Sequence, residues 1–192
     1  KTIFESLYRK DYFEDQFFKC SVLWGDAREK INIIPSSIKF DLIYLDGFSP
    51  QKCPQLWTIE FLSKVTENLN SQGYLITYSS SAAVRKTLRN LGLEIFTIKP
   101  SFNNSIFWSQ GTIAISKFDE TKLIPNFNFK KLSLMEEEHL LTKASIPYRD
   151  QDLNSSKDEI IKKRLDEQLF SNLLSTKKWR EKWGMTKLSV KS

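Results

Sequence analysis

One run limits the fold more than any other: Leu42-Ile43-Tyr44-Leu45 is apolar throughout and is closed at its ends by Asp41 and Asp46. Such an unbroken run reads as a strand covered on both faces, the pattern of a parallel sheet flanked by helices. Gly47, Pro50 and Pro54 then mark a loop at the carboxyl end of that strand. Comparable runs recur at CSVLWG (20–25), GYLITYS (73–79), EIFTIK (94–99) and TIAISK (112–117). Between them Trp57, Phe61, Leu62, Val65 and Leu69 fall at helical spacing, and Ala82 to Leu91 reads as a helix stopped by Gly92. This alternation predicts an α/β protein. Strand 41–46 is expected near the centre of a mostly parallel sheet, with 94–99 and 112–117 antiparallel at one edge.

The character changes near residue 120. ETKLIPNFNFKK reads as a linker, and helical patterns follow at 134–143, 156–175 and 176–183. Ser156 and Glu159 have the spacing of a capping box. Ile160, Ile161, Leu165, Leu169 and Leu173 form a stripe that is expected to bury on the sheet or on a partner. The expected organisation is therefore a sheet domain over 1–118 and a helical, basic extension over 119–192.

Composition narrows the function classes. Of the 192 residues, 40% are hydrophobic, enough for a packed core, and no run approaches the roughly 18 apolar residues of a membrane span. No signal-peptide core opens the chain, and the two cysteines, Cys20 and Cys53, lie far apart. A reduced, cytoplasmic protein without a metal centre is expected. The single histidine, His139, sits in the acidic run MEEEHLL and reads as a solvated helix residue. Residues 171–192 carry net +5 of the total +6, so the basic excess is a tail. That tail is either solvated or a polyanion contact.

In an open α/β sheet, ligands bind beyond the carboxyl ends of the strands. Three such ends carry polar punctuation: WGDARE (24–29), LDGFSP (45–50) and TYSSSAAVR (77–85). Asp26 and Asp46 would then share a crevice able to take a cationic or amine-bearing ligand, although Asp26 reads equally well as a helix cap. The stretch 41–95 resembles the MnmC-like methyltransferases, the tRNA 5-methylaminomethyl-2-thiouridine methyltransferases and their relatives. The resemblance lies in the acid at the strand end, then Gly-Phe-Ser-Pro, a Lys, a Pro and Leu-Trp-Thr. Gly-x-Leu-x-Thr-Tyr-Ser and a small-residue, Val-Arg helix start follow later. LWGDARE and, more weakly, IPYRD (146–150) extend it.

The resemblance implies a class I, Rossmann-like sheet with S-adenosylmethionine as cofactor and tRNA as partner. It implies Asp46 as the catalytic carboxylate that holds an acceptor amine and helps accept its proton. Asp26, Ala27, Asp46, Gly47 and Phe48 would be cofactor-binding, with Asp26 and Ala27 at the adenine. Lys52 would meet tRNA phosphate, and Trp57 or Tyr78 would stack on an extruded base. Read from the pattern alone, Trp57 belongs to the core and Lys52 to a solvated surface.

Two departures from the family qualify these expectations. Its glycine-rich loop and ribose-holding acid have no counterpart before residue 20. The sheet is therefore expected to be incomplete at its N-terminal side, the chain to be a fragment, and these residues to bind S-adenosylmethionine weakly. The loop PSFNNSIFWSQG (100–111) also lacks the family's basic residues. The competing expectations are a degenerate methyltransferase fold that binds RNA or protein, and a polyamine-synthase-like enzyme.

Overall fold

The computed structural model describes residues 3–99, 109–116 and 129–185. Most of the loop at 100–111, most of the linker and the last seven residues lie outside them. The chain divides into two compact units, Lys1–Pro35 and Ser36–Ser192.

In the first unit, helix α1 (Ile3–Lys10) precedes a hairpin of β1 (Tyr12–Glu14) and β2 (Lys19–Ser21), and α2 spans Ala27–Lys30. The strand expected at 20–25 is thus shorter and pairs antiparallel with β1, Tyr12 opposite Ser21. Local chemistry accounts for this. Asp15 accepts the amides of Phe17 and Phe18 at 2.8 and 2.7 Å and closes the turn. Trp24 donates its indole N–H to Asp11 at 2.6 Å, and Gly25 then turns the chain at φ +124°.

The second unit holds a five-stranded sheet. Its strands are β3 (Phe40–Tyr44), β4 (Leu69–Thr77), β5 (Glu94–Ile98), β6 (Thr112–Ile115) and β7 (Phe129–Lys131), in the order β3-β4-β6-β5-β7. Only β3 and β4 run parallel; the remaining three pairings are antiparallel. The apolar run beginning at Leu42 therefore lies in an edge strand, with Leu42 and Tyr44 42% and 68% exposed. A continuous apolar run reports the covering it needs but not its neighbours, and among the described strands β3 pairs with β4 alone. The 94–98 and 112–115 pair is antiparallel as expected, but β6 inserts between β4 and β5 and β7 takes the far edge. Leu75, Ile113, Ala114 and Ile115 fill the centre, and Phe96 meets Phe129 edge-on at 5.1 Å.

Helix α3 (Ile59–Glu67) starts where Thr58 accepts the Phe61 amide, and α4 (Ala82–Asn90) ends before Gly92, whose φ of +89° suits glycine. Three helices follow the sheet: α5 (Leu134–His139), α6 (Lys157–Phe170) and α7 (Thr176–Lys182). The Ser156–Glu159 capping box forms as read, and a second, Ser133–Glu136, opens α5. The α6 stripe does not bury as a whole. Ile160 is fully covered, whereas Leu165 and Leu169 are exposed. His139 is not a solvated residue: its ring stacks on buried Trp179 at 4.1 Å.

The extension is joined to the sheet segment by specific bonds. Ile59 donates its amide to the Tyr148 carbonyl at 3.0 Å, and the Asp150 amide donates to Glu60 at 2.8 Å. Deeper still, Arg85 of α4 pairs with Glu136 of α5 at 3.0 Å, both almost fully buried. Arg85 also donates to Thr112, Thr97 and Ser109 and to the Gly111 carbonyl. Both cysteines are free, and no helix among the described residues is long and apolar enough to cross a membrane.

Candidate active site

The parallel pairing of β3 with β4 continues one bond past the strand, from the Leu45 amide to the Ile76 carbonyl at 2.9 Å. Asp46 follows at the point where the chain leaves the sheet, and its side chain is exposed. The next residues form a tight loop in which the amides of Lys52 and Cys53 both donate to the Ser49 carbonyl, at 2.8 and 2.9 Å. Pro50 is buried within it, and Pro54 begins a short 3₁₀ turn to Trp57.

Two aromatic side chains hold this loop by consecutive carbonyls. Trp57 donates its indole N–H to the Phe48 carbonyl at 2.7 Å. Tyr78, from the end of β4, donates its hydroxyl to the Gly47 carbonyl at 2.8 Å. The two rings meet edge to face at 6.3 Å. Fixing the backbone at 47 and 48 turns Phe48 outward, 76% exposed, next to Asp46. The result is an open groove of about 710 Å³ lined by Asp46, Gly47, Phe48, Lys52, Leu56 and Tyr78.

The groove's electrostatics follow from these neighbours. Burial raises the Tyr78 hydroxyl above the ordinary phenol range, and the nearby Asp46 charge raises it further. The phenol therefore stays a neutral donor, which its bond to Gly47 requires. Lys52 is exposed and forms no ion pair among the described residues. At Gly47 a Cβ would stand 3.0 Å from Leu56 Cδ1, so a side chain there would press on the groove wall.

Each residue singled out in the sequence has a definite place. Asp46, Gly47, Phe48, Lys52 and Tyr78 are brought together. Trp57 is not a stacking platform: it is fully buried and has no free face for a base. Its helical spacing with Phe61 and Leu62 already pointed to the core, and its role is to pin the loop. Asp26 caps α2 through the Arg28 amide at 2.9 Å and pairs with the Arg28 guanidinium at 2.8 Å. Arg28's hydrogen bond is the main reason its carboxyl lies below the usual range. Ala27 is the first residue of α2. Asp26 and Ala27 belong to the first unit and Asp46 to the second.

Sequence reasoning missed the pinning roles of Trp57 and Tyr78, because hydrogen bonds to a backbone carbonyl leave no pattern in the chain. It also gave no role to Arg85. The available signal was a charged residue on the face that carries Ala82 and Leu88.

The groove's donor set fits a sulfonium cofactor. A carboxylate balances the positive charge, and the exposed Phe48 and Tyr78 rings suit a cation with an apolar body. Among the described residues, no three His, Cys, Asp or Glu side chains could hold a metal ion. An α/β sheet with an acid at a strand end and this loop fits a methyltransferase, and comparison with known proteins agrees. The model of a family described as S-adenosyl-L-methionine-dependent methyltransferase matches residues 4–105. The chain belongs to that family and is MnmC-like in sequence and fold.

It is 31% identical over 159 residues to an uncharacterized protein of Methanocaldococcus jannaschii, covering 82% of this chain and 39% of that protein. It is 34% identical over 82 residues to the tRNA 5-methylaminomethyl-2-thiouridine biosynthesis bifunctional protein MnmC of Campylobacter hominis, covering 43% of this chain and 12% of that protein. The crystal structure of MnmC2 from Aquifex aeolicus superimposes with a TM-score of 0.72 at 32% identity, covering 85% of this chain and 49% of that one. The chain thus spans half or less of the length of these relatives.

Proposed function

We propose that the protein methylates an amine on tRNA, the 5-aminomethyl group of wobble 2-thiouridine, with S-adenosylmethionine as methyl donor. The observation that carries this reading is the exposed Asp46 carboxylate beside a loop whose backbone is fixed at two carbonyls. Likeness to proteins named for that tRNA modification supports the substrate.

Asp46, Gly47 and Phe48 would hold the cofactor's reactive end. Bound there, S-adenosylmethionine supplies an electrophilic methyl group. Asp46 does the work on the acceptor. At neutral pH an alkylamine is largely protonated and its lone pair is blocked. The carboxylate attracts the ammonium, holds the nitrogen in the groove and accepts its proton at Oδ, which frees the lone pair. Tyr78 and Trp57 keep the Asp46 loop in place, so little reorganisation is needed when the amine arrives. Lys52, which lines the groove, would meet a backbone phosphate.

The test is transfer of labelled methyl to tRNA bearing 5-aminomethyl-2-thiouridine, with the same tRNA lacking the aminomethyl group as control. Transfer to the first alone is expected. Binding of both RNA and cofactor without transfer would instead identify a methyltransferase fold used for binding.

A further inference from the structure

Beside the Asp46 groove, and sharing Ser49 and Tyr78 with it, lies a second cavity of about 490 Å³. Its remaining wall comes from the start of α4 (Ser79–Ala82) and from residues of the C-terminal helices, among them Tyr148, Arg164 and Arg180. No described Asp or Glu lines it.

Three features show what this cavity is built to hold. First, neither arginine is neutralised by an ion pair among the described residues. Arg164 is fixed by neutral groups: its Nε and Nη2 donate to the carbonyls of Ile146 and Ala144 at 2.7 and 2.9 Å, and it lies over the Tyr148 ring at 4.4 Å. It is held in place with its charge unspent. Second, the Tyr148 residue is only 4% exposed as a whole, while its hydroxyl, which has no hydrogen-bond partner among the described residues, is left accessible in the cavity wall and can donate to a ligand. Third, α4 begins at Ser81 without a side-chain cap, although Ala82, Ala83 and Val84 are buried. Uncapped amides at a buried helix start call for an external acceptor.

Each of these groups is a donor or a cation able to meet an acceptor of negative charge. A tetrahedral oxyanion supplies several such oxygens at once, and arginine suits it through its forked donors. His139 also lines the cavity. Burial first, and then the charges of Arg85 and Arg180, push its pKa down to about 4, so near neutral pH it adds no charge of its own.

We propose that this cavity is a phosphate subsite that takes a phosphodiester of the RNA next to the nucleotide presented at Asp46. The proposal rests on the RNA-methylating reading of the neighbouring groove, from which the shared walls Ser49 and Tyr78 separate it. It assigns the C-terminal helices a direct part in substrate binding through Arg164, Arg180 and Tyr148.

The experiment titrates a fluorescent single-stranded RNA pentanucleotide into the full chain, and into Arg180→Gln and Tyr148→Phe, over a range of salt. Arg180 is exposed and Tyr148→Phe removes one oxygen, so both variants should fold. Arg180→Gln should weaken binding roughly three- to tenfold and reduce the log–log salt slope by about 0.7, the value for one phosphate on a single strand. Tyr148→Phe should weaken it about two- to tenfold with the slope unchanged. Inorganic phosphate should compete with the RNA for wild type and shift the amide resonances of Ser80, Ser81 and Ala82. Equal RNA affinity and slope in wild type and Arg180→Gln would overturn the proposal. So would phosphate that binds these amides without displacing RNA, since that marks a site for the free anion. Methyl transfer separates this proposal from the reading it rests on. Arg180-dependent RNA binding with no transfer to any tRNA leaves the subsite standing and removes the methylation reading. Transfer with an unchanged KM for tRNA in Arg180→Gln does the reverse.

Discussion

The second unit contains two polar clusters of opposite construction. Around Arg85 and Glu136 every charged group is buried and bonded: the guanidinium meets a carboxylate, three hydroxyls and a carbonyl. Around Asp46 the charge is left in the open, and bonding is confined to the backbone on which it stands. The difference teaches where stability and chemistry are kept. A charge with all its partners inside the fold can only hold the fold together. A charge whose backbone is fixed while its oxygens are free can act on something that arrives. Substitutions should therefore separate the two clusters.

The largest stability effect belongs to the buried one. Glu136→Gln leaves the Arg85 charge buried without its counterion, a change expected to cost about 3–5 kcal/mol, or on the order of 10 °C in Tm. Replacing the two together, Arg85→Met with Glu136→Leu, should recover much of that loss, because the unpaired charge is then gone. If Glu136→Gln melts with wild type, the brace is not structural.

Acid should weaken the same region. His139 has a folded pKa of about 4 against an ordinary value of 6.5, because burial and the charges of Arg85 and Arg180 disfavour its protonated form. Between those values the unfolded chain binds a proton that the folded chain does not. Stability is then complete above about pH 6.5 and falls as pH drops toward 4. Partial exposure limits this contribution to about 1–2 kcal/mol. The Glu136 carboxyl adds to the loss at lower pH. Burial raises it, but the bonds from Ser133 and the Arg85 charge outweigh burial and hold it below its ordinary value of 4.5. Its share is lost as pH falls through that lowered value. Tm measured at pH 7, 6 and 5 should decline in wild type and decline less in His139→Gln; a flat profile would contradict the buried, neutral imidazole.

The smallest effect is expected at the loop. Tyr78→Phe removes the donor to the Gly47 carbonyl and should cost about 0.5–1.5 kcal/mol, since that carbonyl lies in a partly open loop where water can replace the phenol. Catalysis should suffer more than folding if the bond positions Asp46. A variant with full activity and lowered Tm would make Tyr78 a structural residue only.

How these elements were read from the chain follows the same division. The Ser156–Glu159 cap, the Gly92 stop and the strands at 73–79, 94–99 and 112–117 were legible because their signals are local: a side chain meets an amide three residues away, or a run of apolar residues pairs beside its neighbour. The strand of Phe40–Tyr44 was found, but its place at an edge was not, because edge or centre depends on which strands flank it. CSVLWG was misplaced for a related reason: the turn at Asp15 sends it back on Tyr12–Glu14. At the candidate site, motif and strand end together point to Asp46, Gly47 and Phe48, and the structure brings these three to one groove. For Trp57 the pattern reading, core, holds and the stacking role implied by the resemblance does not, since an aromatic ring in a functional loop can face the solvent or the core. The Arg164–Tyr148 pair stays hidden in the sequence because the two residues are sixteen apart and stack only once the chain has folded back, with Arg164 anchored on the carbonyls of Ala144 and Ile146.

The account rests on Asp46 as an acid kept free for an acceptor amine, and Asp46→Asn tests it most directly. The substitution keeps the shape of the side chain and removes its charge and nearly all its basicity. Methyl transfer to tRNA bearing 5-aminomethyl-2-thiouridine should fall by roughly 10²–10⁴-fold, the range for loss of a general base, while Tm stays close to wild type. An Asp46→Asn protein that folds normally and keeps wild-type turnover would contradict the account and leave the carboxylate as a residue of its turn.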